Sequence, residues 1–136
     1  MAAPQTAPVV MDYRDQTMLK PAAGVELLQL IGPQAQPGAQ TDRGSITLFR
    51  LAPGRSSGWS YSRRGEEAFL VRKGIGQVWI DDYAQDVGPG SYILVPPGVV
   101  RSVHAAATGT LEFYAITMPA WRPGSDVAVS DPRVTE

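Results

Sequence analysis

The chain of 136 residues fits one domain with a sizeable core, and its hydrophobic fraction of 43% is ordinary for a globular protein. It has no cysteine, which excludes disulfides, thiolate chemistry and sulfur-ligated metals, and its one histidine, His104, excludes a multi-histidine metal site within one subunit. A net charge of −1 without a basic stripe argues against nucleic acid, and no run approaches the ~20 apolar residues of a membrane span.

The N-terminal MAAPQTAPVVMDYRDQ lacks both a basic n-region and an apolar h-region, so no signal peptide and a cytoplasmic location are expected. Residues 1–20 are rich in Ala, Pro and polar side chains and read as an arm. The first strand expected is Val25–Ile31, closed by Gly32-Pro33, and the polar segment Gln34–Asp42 is a loop. Ser45–Leu51 follows, ended by Pro53-Gly54, and then Trp59–Ser62, Glu67–Arg72 and Gln77–Ile80. Asp81-Asp82 makes a hairpin turn. Tyr92–Val95 runs into Pro96-Pro97-Gly98, Val99–Ala105 continues, and Leu111–Thr117 completes the set. Trp121 is expected to tuck the polar tail, 121–136, against a body spanning 21–120. Short strands at close spacing, punctuated by 14 glycines and 12 prolines and with no good helix, predict an all-β single domain of barrel or jelly-roll type.

Two spaced patterns sharpen that reading. The first is Gly54, Ser60-Tyr61-Ser62, Glu67 and Gly74; the second is Gly90, Pro96-Pro97-Gly98, Arg101 and Ala105. Their spacing resembles the two motifs of the cupin superfamily, small double-stranded β-helix barrels, over residues 54–105. In that resemblance the four metal ligands fall on Ser60, Ser62, Glu67 and Arg101. Neutral hydroxyls are poor ligands for first-row metals, and a guanidinium brings positive charge to the place a cation would fill. The resemblance therefore implies a metal-independent cupin, with no metal and no cofactor.

Alternation along the strands turns Ser60, Ser62, Glu67, Phe69, Val71, Val99, Arg101 and Val103 inward, with Phe113, Ala115 and Thr117 as wall residues on the last strand. Glu67 is the expected general acid or base, and Arg101 the group that holds an anionic or enolate-like oxygen. Ser60, Ser62, Phe69, Val71, Val103 and Phe113 are the expected substrate-binding residues. The structural alternative is a salt bridge between Glu67 and Arg101 that only fills the barrel. His104, three residues after Arg101, points away by parity, so neither serine has a partner base for nucleophilic catalysis. Arg50 and Tyr92 could reach the barrel mouth. Trp79 reads as packing or a subunit interface, and Arg63, Arg64 and Glu66 as a solvated turn.

Three function classes fit. The first is a metal-independent enzyme performing cyclisation, isomerisation or elimination on a small carbonyl-containing substrate, in the manner of dehydratases, lyases and natural-product tailoring cupins. The second is a non-catalytic small-molecule-binding module, and the third a metal-dependent dioxygenase with unusual ligands. The first is the expectation carried forward, with a small molecule as partner and a homodimer as the assembly.

Overall fold

Alternating side chains pair as two antiparallel sheets in a computed structural model that describes residues 8–134. The first sheet holds β1 (Leu19–Ala22), β2 (Val25–Ile31), β3 (Ser45–Leu51), β5 (Glu66–Lys73), β8 (Tyr92–Val95) and β10 (Leu111–Met118), in the order β1-β2-β3-β10-β5-β8. The second holds β4 (Ser60–Ser62), β6 (Gly76–Ile80), β7 (Tyr83–Val87), β9 (Arg101–Ala105) and β11 (Asp126–Ala128), in the order β11-β4-β9-β6-β7. No helix among the described residues is long and apolar enough to cross a membrane.

The strand β10 is the spine of the first sheet. It pairs along its length with β3 and with β5, placing Phe113 beside Phe49 and Val71, and Thr117 beside Ser45 and Glu67. Its period of two sends Leu111, Phe113, Ala115 and Thr117 inward, and all four are buried. Across the interior, β6 and β9 contribute Val78, Val103 and Ala105 to the same apolar cluster as Leu51, Val71, Val95 and Leu111. These branched side chains fill one end of the sandwich and leave the other end to polar groups.

The N-terminal segment lies against part of the outer face of the first sheet. Glu112 takes Arg50 at 2.7 Å and also Arg72, and the Tyr13 ring lies 5.5 Å from one guanidinium and 6.0 Å from the other. Arg50 therefore faces outward, as does Tyr92, which is 83% exposed on β8; neither reaches the barrel mouth. The first seven residues of the expected arm, and the last two of the tail, lie outside the described residues.

Several elements differ from the sequence expectation. Leu19–Ala22 adds an edge strand through Leu19↔Leu27 and Ala22↔Val25. The second half of the hairpin after Asp81-Asp82 is β7, whose polar YAQDV run pairs with β6 at the sheet edge and so carries no alternating apolar signal. The tail yields β11. The strand β9 starts at Arg101 rather than Val99, because the Pro-Pro-Gly turn extends to Val100, whose carbonyl accepts from the Asp81 N–H at 2.9 Å.

Gly74 closes the β5–β6 turn at a φ of 87°, and a Cβ there would sit 2.2 Å from the Thr110 carbonyl oxygen. Gly74→Ala is expected to cost at least about 2 kcal/mol through backbone strain plus that collision. Urea denaturation measures the loss; unchanged stability would contradict the register between the β5–β6 turn and the start of β10.

Candidate functional site

The polar end of the interior is built around one guanidinium. Arg101, first residue of β9, pairs across the sheet with Ser60 of β4 and is 4% exposed. Its Nε donates to Glu67 Oε1 at 2.7 Å, and Nη2 lies 2.5 Å from the same oxygen. Its Nη1 donates to Ser60 Oγ, and Nη2 also donates to Asp126 Oδ2 at 3.2 Å. Glu67 stands on β5 of the opposite sheet, so this ion pair bridges the two layers.

Around the pair is a cavity of about 80 Å³, lined by Phe49, Ser57, Ser60, Glu67, Phe69, Arg101, Phe113 and Asp126. One water needs roughly 10–15 Å³ of such volume, so the chamber has room for a small organic group. Its floor is aromatic: Phe49 stacks on Phe113 at 5.1 Å, and Phe69 meets Phe113 edge-on at 5.6 Å. The roof is polar, from Ser57, Ser60, Arg101 and Asp126. Above it lies a groove of about 390 Å³ between the β4–β5 turn and the tail, lined by Arg63, Arg64, Trp121 and Arg122 among others. Asp126 borders both spaces.

Glu67 is held above the usual carboxylate range. Burial is the main cause, outweighing the attraction of Arg101 and its hydrogen bond, and the charge of Asp126 adds to the rise. Oε1 carries the contacts to Arg101, while Oε2 has no hydrogen bond among the described residues. The site thus offers a carboxyl that holds a proton beyond the normal range and has one oxygen open to a guest.

Of the residues expected from sequence, Ser60, Glu67, Phe69, Arg101 and Phe113 line the chamber together. Ser62 does not. Its hydroxyl accepts from the Gly65 N–H at 3.1 Å, which ties down the β4–β5 turn, and it faces the outer groove instead. Val71 and Val103 are buried in the apolar cluster at the closed end and also stand outside the chamber. Their places are taken by Phe49, Ser57 and Asp126, which the motif spacing does not reach. The one local signal for Asp126 is the short apolar run Val127-Ala128-Val129 that follows it, after a Pro-Gly-Ser turn.

His104 is on the outer face of the second sheet, packed 5.5 Å from Trp59 and 6.2 Å from Trp79. Burial, with Arg133 nearby, pushes its pKa down. The fold family commonly carries a metal, and the donors here do not fit one. A guanidinium stands against the single glutamate, the hydroxyl of Ser62 is committed to a turn, and no group of three His, Asp or Glu ligands exists among the described residues.

The family model for the cupin domain matches residues 47–117, just over half of the chain. Comparison with curated protein sequences gives no match. Among solved structures, KdgF from Halomonas sp. superposes with a TM-score of 0.75 at 10% identity, over 87% of this chain and 99% of that one. Pac13 from Streptomyces, solved with uridine, gives 0.71 at 15% identity, over 92% and 93% of the two chains. Salicylate 1,2-dioxygenase from Pseudoaminobacter salicylatoxidans gives 0.63 at 18% identity, over 72% of this chain and 26% of that one. At these identities the superpositions speak for the fold.

A carboxyl raised by burial makes stability depend on pH with a definite sign. The folded chain holds the Glu67 proton more tightly than the unfolded chain does. Its contribution is complete below the ordinary value of about 4.5 and is lost as pH rises through the folded value. The stability of the wild type relative to Glu67→Gln should therefore fall with increasing pH above that point. Urea denaturation of both proteins across about pH 4 to 8 checks the sign, and a constant difference would refute it.

Proposed function

The chain belongs to the cupin family, and we propose that within it this barrel is a metal-independent enzyme working by proton transfer on a small carbonyl-containing substrate. Isomerisation, elimination of the dehydratase or lyase kind, and cyclisation share that first step. The observation that carries the reading is Glu67: a buried carboxyl with a raised pKa and one free oxygen, in a chamber floored by three phenylalanines. General acid–base catalysis calls for a carboxyl poised nearer to neutrality than an exposed one.

In this reading the substrate's apolar face rests on Phe49, Phe69 and Phe113. Glu67, when ionised, removes the proton beside the carbonyl through Oε2; when protonated, it returns that proton to the carbon or to a departing oxygen. Arg101 answers the charge that develops on the carbonyl oxygen. Four of its five N–H groups are engaged, Nε and one on Nη2 by Glu67, the other on Nη2 by Asp126 and one on Nη1 by Ser60, leaving the second Nη1 N–H free of the described residues. An oxyanion meeting it in a site of low dielectric is stabilised far more than in water. Ser60, itself bonded to Arg101, orients the guest.

The neighbours lend support of a general kind. Pac13, described as a unique nucleoside dehydratase, has the same fold over nearly the whole chain, so an elimination within such a barrel has a precedent in shape. The homodimer remains part of the proposal. Its contact face would be the edge strand β8, where Tyr92 and Leu94 stand exposed beside Leu70 of β5.

The test is exchange of substrate hydrogen with solvent. Wild-type protein incubated in deuterium oxide with a panel of small hydroxy ketones and keto acids should incorporate deuterium next to the carbonyl of one of them, read by proton NMR. Glu67→Gln should slow that exchange by about 10²-fold or more while still binding the compound. Full exchange by Glu67→Gln would end the mechanism.

A further inference from the structure

The tail is fastened at two points, one inside the barrel and one outside. Inside, the pairing Asp126↔Ser62, Val127↔Tyr61 and Ala128↔Ser60 lays β11 along β4 and brings the Asp126 carboxylate to the roof of the chamber. Oδ2 meets Arg101, whereas Oδ1 is buried without a hydrogen-bond partner among the described residues. A buried acceptor left unpaired is costly, and a guest donating to it removes that cost. Outside, Arg133 lies over the rings of Trp79 and Trp59 at 4.6 and 5.0 Å. Asp131 fixes its orientation through Nε at 3.0 Å and Nη2 at 2.7 Å. Between the two points the hold is thin: three paired residues and one bond from the Val129 N–H to the Trp59 carbonyl at 3.0 Å.

We propose that residues 126–134 form a strap that completes the site, with Asp126 as the carboxylate that holds a hydroxyl or N–H of the substrate on Oδ1, and Arg133 as the latch that keeps it there. The inference rests on the chamber being the reaction site, and it narrows the substrate class. Two carboxylates face one guanidinium, so a neutral hydroxylated carbonyl compound suits the chamber better than a free acid of the same size. It also supplies an entrance. Asp126 is the shared wall between the chamber of about 80 Å³ and the groove of about 390 Å³, and lifting the strap joins them. Asp126 touches the guest; Arg133 acts only through it and is a positioning residue.

The charged groups facing Glu67 are Arg101 from β9 and Asp126 from β11; the other polar lining residues, Ser57 and Ser60, are neutral. That makes the Glu67 titration a reporter of the strap, independent of turnover. With glutamate labelled at the carboxyl carbon and the signal assigned by its loss in Glu67→Gln, three proteins are compared by NMR. In Asp126→Asn the Glu67 pKa should fall, because a negative neighbour is gone. In Arg133→Ala it should fall as well, because the strap opens and Asp126 departs while water enters. The Val129 amide should then exchange with solvent at least about ten-fold faster.

If Arg133→Ala leaves both the titration and the exchange at wild-type values, the latch is refuted. If Asp126→Asn leaves the titration unchanged, Asp126 does not belong to the chamber. Dihydroxyacetone serves as the probe for the guest. Adding it should shift the Glu67 carboxyl signal of the wild type, with at least about ten-fold weaker affinity in Asp126→Ala. No shift in the wild type, or equal affinity in the variant, overturns the assignment of Oδ1 to a guest. The deuterium-exchange reading can fail while these measurements succeed, and the reverse.

Discussion

A guanidinium buried between two sheets is the constraint from which the rest of this site follows. Arg101 is 4% exposed and Glu67 6%, so both have left water, and an ion in that position is tolerated only when its hydrogen bonds are met. Arg101 and the partners that meet it stand on four strands: Glu67 on β5, Ser60 on β4, Asp126 on β11, and Arg101 itself on β9. The first of these lies in the six-stranded sheet and the other three in the five-stranded one. The pair is therefore a clasp across the barrel mouth, and its bulk and charge prevent the apolar packing of the closed end from spreading into the open end. A cavity persists there because valine and leucine would strand the guanidinium without partners.

The same constraint sets the chemistry available. A glutamate beside a cation would ordinarily sit below its usual range, yet burial outweighs the attraction and the carboxyl is pushed up. The chain thus has a buried carboxyl whose setting is a balance among desolvation, one cation and one anion. A shift in any of the three moves the balance, which is why a carboxylate on the tail bears on a carboxyl in the barrel. A transition metal in place of the guanidinium would remove this freedom, since a ligating carboxylate must give up its proton.

The fold and half of the site are legible in the sequence for reasons that are local. Gly54, Gly74, Gly90 and Gly98 all adopt positive φ at turns, so their spacing transmits the barrel directly. Parity along a strand carries Ser60, Phe69, Phe113, Glu67 and Arg101 into one interior. Parity gives the right face for Ser62, which is buried opposite Asp126, but not its place: the hydroxyl is engaged by the Gly65 N–H three residues on and stays outside the chamber. Parity fails to place Val71 and Val103 because facing inward does not tell depth, and the interior has a filled end and an open one. Phe49, Ser57 and Asp126 could not be found by motif spacing, since each reaches the chamber through a pairing far away in the chain. Asp126 is the extreme case. A three-residue strand in a proline-rich tail gains its place only from β4, which is itself three residues long.

That dependence says something about how such a site can be changed. The aromatic floor comes from β3, β5 and β10, the most extensively paired strands of the molecule, and resists alteration because each phenylalanine packs on another. The roof comes from short strands and a tail whose outer anchor is one arginine stacked on two tryptophans. Stacking of a cation on aromatic faces at an exposed position is a weak hold, little enough to open and close within thermal reach. The barrel thereby separates two demands that conflict in a single rigid cavity. The floor and the Glu67–Arg101 contact hold the shape of the chamber, and the strap can yield by giving up only the Asp126 contact to Arg101, with the change in the Glu67 balance that follows.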